Sequence, residues 1–124
     1  MDPIADMLIS IKNGYMAKKP SIGIPYSKFK MEIAKVLEGT KFIGKVQKVD
    51  SKIEIELLYE NQKPKLTELK RVSKLGLRVY QKSKEIKKLK GGKGLYILST
   101  PKGVMTSIDA KAKNLGGEVI CLIW

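Results

Sequence analysis

The stretch "ILSTPKGVMTS", residues 97–107, sets four hydroxyls around a Pro-Lys-Gly break: Ser99, Thr100, Thr106 and Ser107. Hydroxyls so grouped either attack an electrophile or exchange hydrogen bonds with a partner. A serine nucleophile needs a base. The chain has no histidine, which excludes His-based triads. Lys102 would serve only with its pKa strongly depressed by burial, which is not expected amid so many lysines. Hydroxyls that both donate and accept suit ribose 2′-hydroxyls and base edges. Thr106 also has a local use, as cap of a short helix with Asp109 in the capping-box position. Ser99 and Thr100 close an apolar strand pattern and have no evident local use. Binding is expected here, and catalysis is not.

Other patterns weigh the same way. "GTKFIGKV" (residues 39–46) approaches a phosphate-binding loop, but Val46 stands where a magnesium-reaching hydroxyl is required. A helix also precedes it and a strand follows, the reverse of the working order. "KEIKKLKGGKG" (residues 84–94) gathers five lysines, Lys87 and Lys88 among them, beside Gly91-Gly92. Glycines there would let backbone amides approach phosphates closely. Glu118, in "GGE", is an acid within a basic region and is expected to accept from an amino or hydroxyl group or to hold a neighbouring cation. One Cys and no His leave no disulfide framework and no His-containing zinc site. Cys121, inside an apolar run, reads as a buried structural thiol. No cofactor or metal is expected.

The charge is uneven. Residues 1–60 carry ten Lys against eight acids, a net of +2; residues 61–124 carry thirteen Lys and two Arg against four acids, a net of +11. A field gathered on one half suits a polyanion, most simply nucleic acid. No basic amphipathic helix accompanies it, so a membrane surface is not the expected partner. The N-terminal "MDPIADML" has an acid where an export signal needs basic residues, and a reducing cytoplasm is expected.

The elements that must position these residues follow from periodicity. Asp2 can cap a helix begun by Pro3, with Ile4, Met7, Leu8, Ile11 and Tyr15 inward. "SIGIPYS" reads as an edge strand, because Pro25 cannot donate to a central ladder. Ser27 caps a second helix with Phe29, Ile33, Val36 and Leu37 inward, stopped by Gly39. "FIGKVQKV" and "KIEIELLY" form a hairpin with one wet face. Polar residues 60–69 mark a boundary between a domain at 1–62 and one at 63–124. Beyond it, "KRVSKL" and "GLRVYQK" read as strands with Leu75, Leu77 and Val79 on one face. "LYILS" and "EVICLIW" read as central strands, separated by a short helix ended by Gly116-Gly117. The fold class is α+β: an N-terminal α-β-α-β-β half packed on a mostly-β C-terminal half with one short helix. Halves of roughly 60 residues are marginal alone, so a shared interface is expected.

"STPKGVMTSIDAKAKNLGGEVICLIW", with "DPIADMLISIKNG" and "IPYSKFKMEIAKVLEGTKFI", strongly resembles the bacterial ribosomal protein S8 (uS8) family, in order and spacing from Asp2 to Trp124. The resemblance implies two α/β and mostly-β domains. It implies a primary binder of the 16S rRNA central domain that helps assemble the platform of the 30S subunit. Neighbours S5 and S12 are implied within the 30S subunit, and in some members repression of the protein's own operon. The family's RNA-contacting loop maps onto Ser99, Thr100, Pro101, Lys102 and Gly103, with Glu118 beside it; Pro101 stands where a third hydroxyl is common. Lys28 and Lys30 match a family basic pair. Ser10 and Lys12 stand where arginines are frequent in the first helix, which implies a weaker phosphate grip there. Lys111 stands for Arg in the last helix, keeping the charge and losing bidentate geometry. The RNA-binding set expected is therefore Ser99, Thr100, Pro101, Lys102, Gly103, Thr106, Glu118, Lys28, Lys30, Lys12, Lys87 and Lys88, on a protein expected to be monomeric when free.

Two rival classes are weighed against it. A DNA-binding or nucleic-acid chaperone protein shares the basic half but calls for a helix-turn-helix or zinc module that the sequence lacks. A nuclease or Ser-Lys hydrolase needs clustered carboxylates or a base, absent from the basic half. If about four to six lysines neutralise phosphates, log affinity for RNA falls with log salt at a slope of about −3 to −5. Titrations at several salt concentrations measure the slope, and a flat line removes the polyanion reading.

Overall fold

In the computed structural model, which describes residues 2–74, 76–83 and 94–124, the chain divides into two units, Met1–Thr67 and Glu68–Trp124. The first unit opens with α1 (Pro3–Met16), where the Asp2 carboxylate accepts from the Ile4 N–H at 3.1 Å. Its predicted stripe, Ile4, Met7, Leu8, Ile11 and Tyr15, is buried throughout. β1 (Ser21–Pro25) leads to α2 (Lys28–Gly39), capped by Ser27 Oγ, which accepts from the Lys30 N–H at 3.1 Å.

Phe29 is an exception to the expected α2 stripe, being 39% exposed. At about 100° per residue, Ile33, Leu37 and Ala34 span one face centred near Leu37, and Phe29 falls at its margin. Those three are fully buried. The small Ala34, rather than Phe29, completes the inward face.

β2 (Ile43–Val49) and β3 (Lys52–Leu57) form the predicted hairpin, with Val49 opposite Lys52 and Asp50 at φ 55. The antiparallel order is β1-β3-β2, so Pro25 lies on an edge strand as its missing N–H requires. Ile53, Ile55 and Leu57 are buried while Glu54 and Glu56 are exposed, giving the sheet one wet face. Tyr15 ties helix to chain end: its hydroxyl donates to the Phe42 carbonyl at 3.1 Å and accepts from the Leu58 N–H at 3.3 Å. Burial raises its pKa above the ordinary 10.0, opposed by the Leu58 hydrogen bond. A small hairpin of β4 (Tyr59–Glu60) and β5 (Lys63–Pro64) occupies the start of the polar segment.

The second unit is a sheet with one short helix. Its strands are β6 (Leu69–Arg71), β7 (Tyr80–Gln81), β8 (Leu95–Thr100), β9 (Gly103–Thr106) and β10 (Gly117–Ile123), with α3 (Ser107–Ala112) between the last two. The order is β6-β10-β8-β9, and β7 joins the β6 edge of β10. β8 and β10 are central, as their apolar runs predict. Adjacent Ile97 and Leu98 are both fully buried, which explains why β8 shows no alternation. Leu98, Val119, Met105 and Ala110 form a core cluster on which Val72, Val79, Tyr96 and Leu115 pack.

Two expectations need correction. "KRVSKL" and "GLRVYQK" do not make two long strands; only Leu69–Arg71 and Tyr80–Gln81 pair. Between them Lys74 and Leu77 exchange both backbone hydrogen bonds, at 2.8 and 2.9 Å, around Gly76 at φ 82. This turn lifts Leu77 into solvent, 65% exposed, while Ser73 is buried and its hydroxyl accepts from the Val79 N–H at 2.9 Å. Alternation alone could not foresee a turn closed by a buried serine. Leu75 lies outside the described residues. The second correction concerns the end of α3. Asn114 at φ 58 turns the chain, with Leu115 N–H donating to the Ala110 carbonyl at 2.8 Å, and Gly116 and Gly117 are left for another task.

Burial raises the Cys121 thiol from its ordinary 9.0 to about 12, against the opposing pull of Arg71. The folded protein therefore holds this proton more tightly than the unfolded chain. Its contribution to stability is intact below about pH 9 and declines as pH rises toward about 12. Denaturant titrations across that window should show a shallower alkaline decline for Cys121→Ala than for the parent, by up to one proton's worth of slope.

Candidate nucleic-acid interface

The hydroxyl stretch folds into a tight hairpin. β8 and β9 pair from Ile97 opposite Thr106 to Thr100 opposite Gly103, so Pro101 and Lys102 alone make the turn. Proline presets its own φ, and Gly103 takes φ 115, a conformation that a side chain would strain. Thr100 is not idle. Its hydroxyl donates to the Gly103 carbonyl at 2.8 Å and accepts from the Lys102 N–H at 3.2 Å, closing the turn from within. Thr106 Oγ1 accepts from the Asp109 N–H at 3.2 Å as the α3 cap, and buried Ser107 Oγ accepts from the Tyr96 N–H at 3.2 Å.

Three of the four hydroxyls are thus committed to the fold. Ser99 is the fourth. It sits half-buried in β8 rather than on a loop, paired in register with Glu118, and its hydroxyl has no partner among the described residues.

Glycine fixes what lies beside it. A Cβ on Gly116 would come within 2.5 Å of the Gln81 carbonyl oxygen, and one on Gly117 would collide with the Ser99 carbonyl. These two positions let β7 and β8 close on β10 from either side. The result is a cleft of about 720 Å³, lined on one wall by Tyr80, Gln81, Lys82 and Ser83 and on the other by Ser99, Thr100 and Pro101, with Gly116, Gly117 and Glu118 between. Glu118 accepts from Arg78 Nη1 at 3.1 Å, so the cation it holds is an arginine. Its carboxylate keeps a second oxygen for a further donor.

Of the expected set, Ser99, Thr100, Pro101 and Glu118 meet at the cleft, with Lys102 exposed on the turn and Gly103 completing it. Thr106 is at the far end of β9 on the helix cap. Lys12 and Lys28 are exposed and Lys30 is half-buried, and all three belong to the first unit. Lys87 and Lys88, with the rest of the basic stretch 84–93, lie outside the described residues. Sequence reading missed the β7 wall. Tyr80, 67% exposed at the cleft, offers a ring face to a base. An aromatic in a strand pattern reads as core, and only the short pairing of β7 turns it outward. Among the described residues no group of three His, Cys, Asp or Glu could hold a metal. No described helix is long and apolar enough to cross a membrane.

A family model described as ribosomal protein S8 matches residues 2–124. The chain is 45% identical to the small ribosomal subunit protein uS8 of Pseudomonas savastanoi pv. phaseolicola over 99% of its own length and 97% of that protein. It is 46% identical to uS8 of Roseiflexus castenholzii and 42% to that of Dictyoglomus turgidum, with the same shares covered.

The geometry separates fold from contact. Thr100→Val should lower stability by about 1 kcal/mol through the opened turn. Gly117→Ala should cost more, about 1–3 kcal/mol, because the Ser99 carbonyl must retreat. Thermal and denaturant melts of both variants measure this order.

Proposed function

The chain belongs to the ribosomal protein S8 family, a constituent of the small ribosomal subunit, and on that premise we propose that it binds the central domain of 16S rRNA directly and helps assemble the platform of the 30S subunit. The observation that carries the binding surface is Ser99: a hydroxyl unused by the fold, in a cleft with Glu118 and the exposed Tyr80. A-form RNA hides its major groove, so recognition falls to ribose hydroxyls, phosphates and irregular bases. Ser99 reads hydroxyl or base edges, Tyr80 stacks, and Thr100 and Gly103 act by holding the turn that presents Lys102. Lysines of the second unit, Lys87 and Lys88 included, supply sequence-blind attraction, joined by Lys12, Lys28 and Lys30.

Further roles follow the family. The protein neighbours S5 and S12 in the 30S subunit, works in the cytoplasm without catalytic activity, and is monomeric before assembly. Its operon's mRNA is a second RNA target wherever that transcript mimics the rRNA site.

Chemical footprinting of the small-subunit RNA tests the primary reading, with protection expected in the central domain. Protection elsewhere, or none, overturns it. Ser99→Ala should weaken specific binding by about 1–3 kcal/mol where the RNA partner is left unsatisfied. It should leave the salt slope almost unchanged. Lys102→Ala should reduce that slope by about one unit and weaken many RNAs alike. A normally folded Ser99→Ala that binds as the parent does would remove Ser99 from the site.

A further inference from the structure

The cleft contains one polar atom that the fold does not answer. Gln81 Oε1 is buried and has no hydrogen-bond partner, the single such side-chain atom among the described residues. The other buried polar side chains, Ser73, Thr100 and Ser107, are all bonded. Buried polar groups are satisfied almost without exception, so an exception signals strain, a bound water or a missing partner. The Gln81 backbone is not strained into place. It pairs with Gly117 across the β7–β10 ladder, and the absent side chain of Gly116 leaves room for its carbonyl. The side chain belongs to the cleft wall, opposite Ser99 and Thr100.

An amide oxygen only accepts, which restricts what can answer it. A phosphate has no proton to offer. A ribose 2′-hydroxyl does, and so does an exocyclic base amino group. We propose that Gln81 is a specificity-determining residue, its Oε1 receiving a hydrogen bond from such a donor of the bound RNA. This rests on the RNA-binding reading above and assigns the same cleft a preference that lysines cannot provide. A site built around a waiting acceptor rejects a ligand lacking the donor, because the acceptor is then left buried and unpaired.

The test crosses a protein change with an RNA change. Parent and Gln81→Met are titrated with a central-domain rRNA fragment made intact, with single 2′-deoxy sugars, or with single amino groups removed (inosine for guanosine, purine riboside for adenosine). One removal should weaken the parent about tenfold or more. Gln81→Met should lose a similar factor on intact RNA and show no further loss with that same removal. Whether the sensitive position is a sugar or a base identifies the donor. Losses that add independently, or Gln81→Met binding intact RNA as the parent does, overturn the assignment and leave a water as the partner of Oε1. If Gln81→Met fails to fold, Gln81→Glu, which keeps the acceptor, replaces it: sensitivity to the same removal in both proteins supports the proposal. A parent insensitive to every removal overturns it. A parent that binds no central-domain fragment overturns the RNA reading itself, and Gln81 with it.

Discussion

The second unit depends on a contact between backbones. At Gly116 and Gly117 the strand β10 is approached so closely by the Gln81 and Ser99 carbonyls that neither position has space for a Cβ. That closeness sets Glu118 opposite both Tyr80 and Ser99. It brings the two cleft walls together, and it is why α3 must find its own stop at Asn114 before the glycines begin. Glycine inside a strand normally weakens it through lost entropy. Here the pair is retained where any side chain would force the walls apart.

Within that frame the polar groups divide into those that hold the fold and those left over. Thr100, Thr106, Ser107 and Ser73 each bond the backbone at a turn, cap or strand. Ser99 and Gln81 Oε1 remain. Both face the same cleft, and neither carries charge. The basic charge of the second half acts at a distance and without regard to sequence. Recognition of a particular partner therefore rests on a few neutral atoms, set among cations that would attract any nucleic acid.

Most of the fold was legible because its cues are local. Asp2, Ser27 and Thr106 are helix caps by chemistry alone, the Ile53-Ile55-Leu57 alternation declares a wet-faced strand, and Pro25 declares an edge. What stayed hidden depended on contacts distant in sequence. Nothing in "SKLGLR" discloses that Ser73 is buried under Val79 and expels Leu77. Phe29 looks like core until Ala34 is seen to turn the buried face of α2. The candidate site was half legible. Unusual residues, a hydroxyl pair beside Pro-Lys-Gly and a Gly-Gly-Glu step, identified two segments, but the β7 wall is made by pairing between residues 80–81 and 117–118. Thr100 was misjudged as idle because its partners, Gly103 and Lys102, become partners only once the turn is closed.

The two-residue turn at Pro101-Lys102 has a kinetic consequence. Proline, a glycine at positive φ and an internal threonine bond leave little in the hairpin to reorganise when a partner arrives. Encounter is then limited by diffusion and orientation, hastened by the positive field and slowed by added salt. How long the partner stays depends on the short-range contacts in the cleft. Charge changes on this protein would thus act mainly on arrival, and changes to its neutral polar atoms mainly on departure.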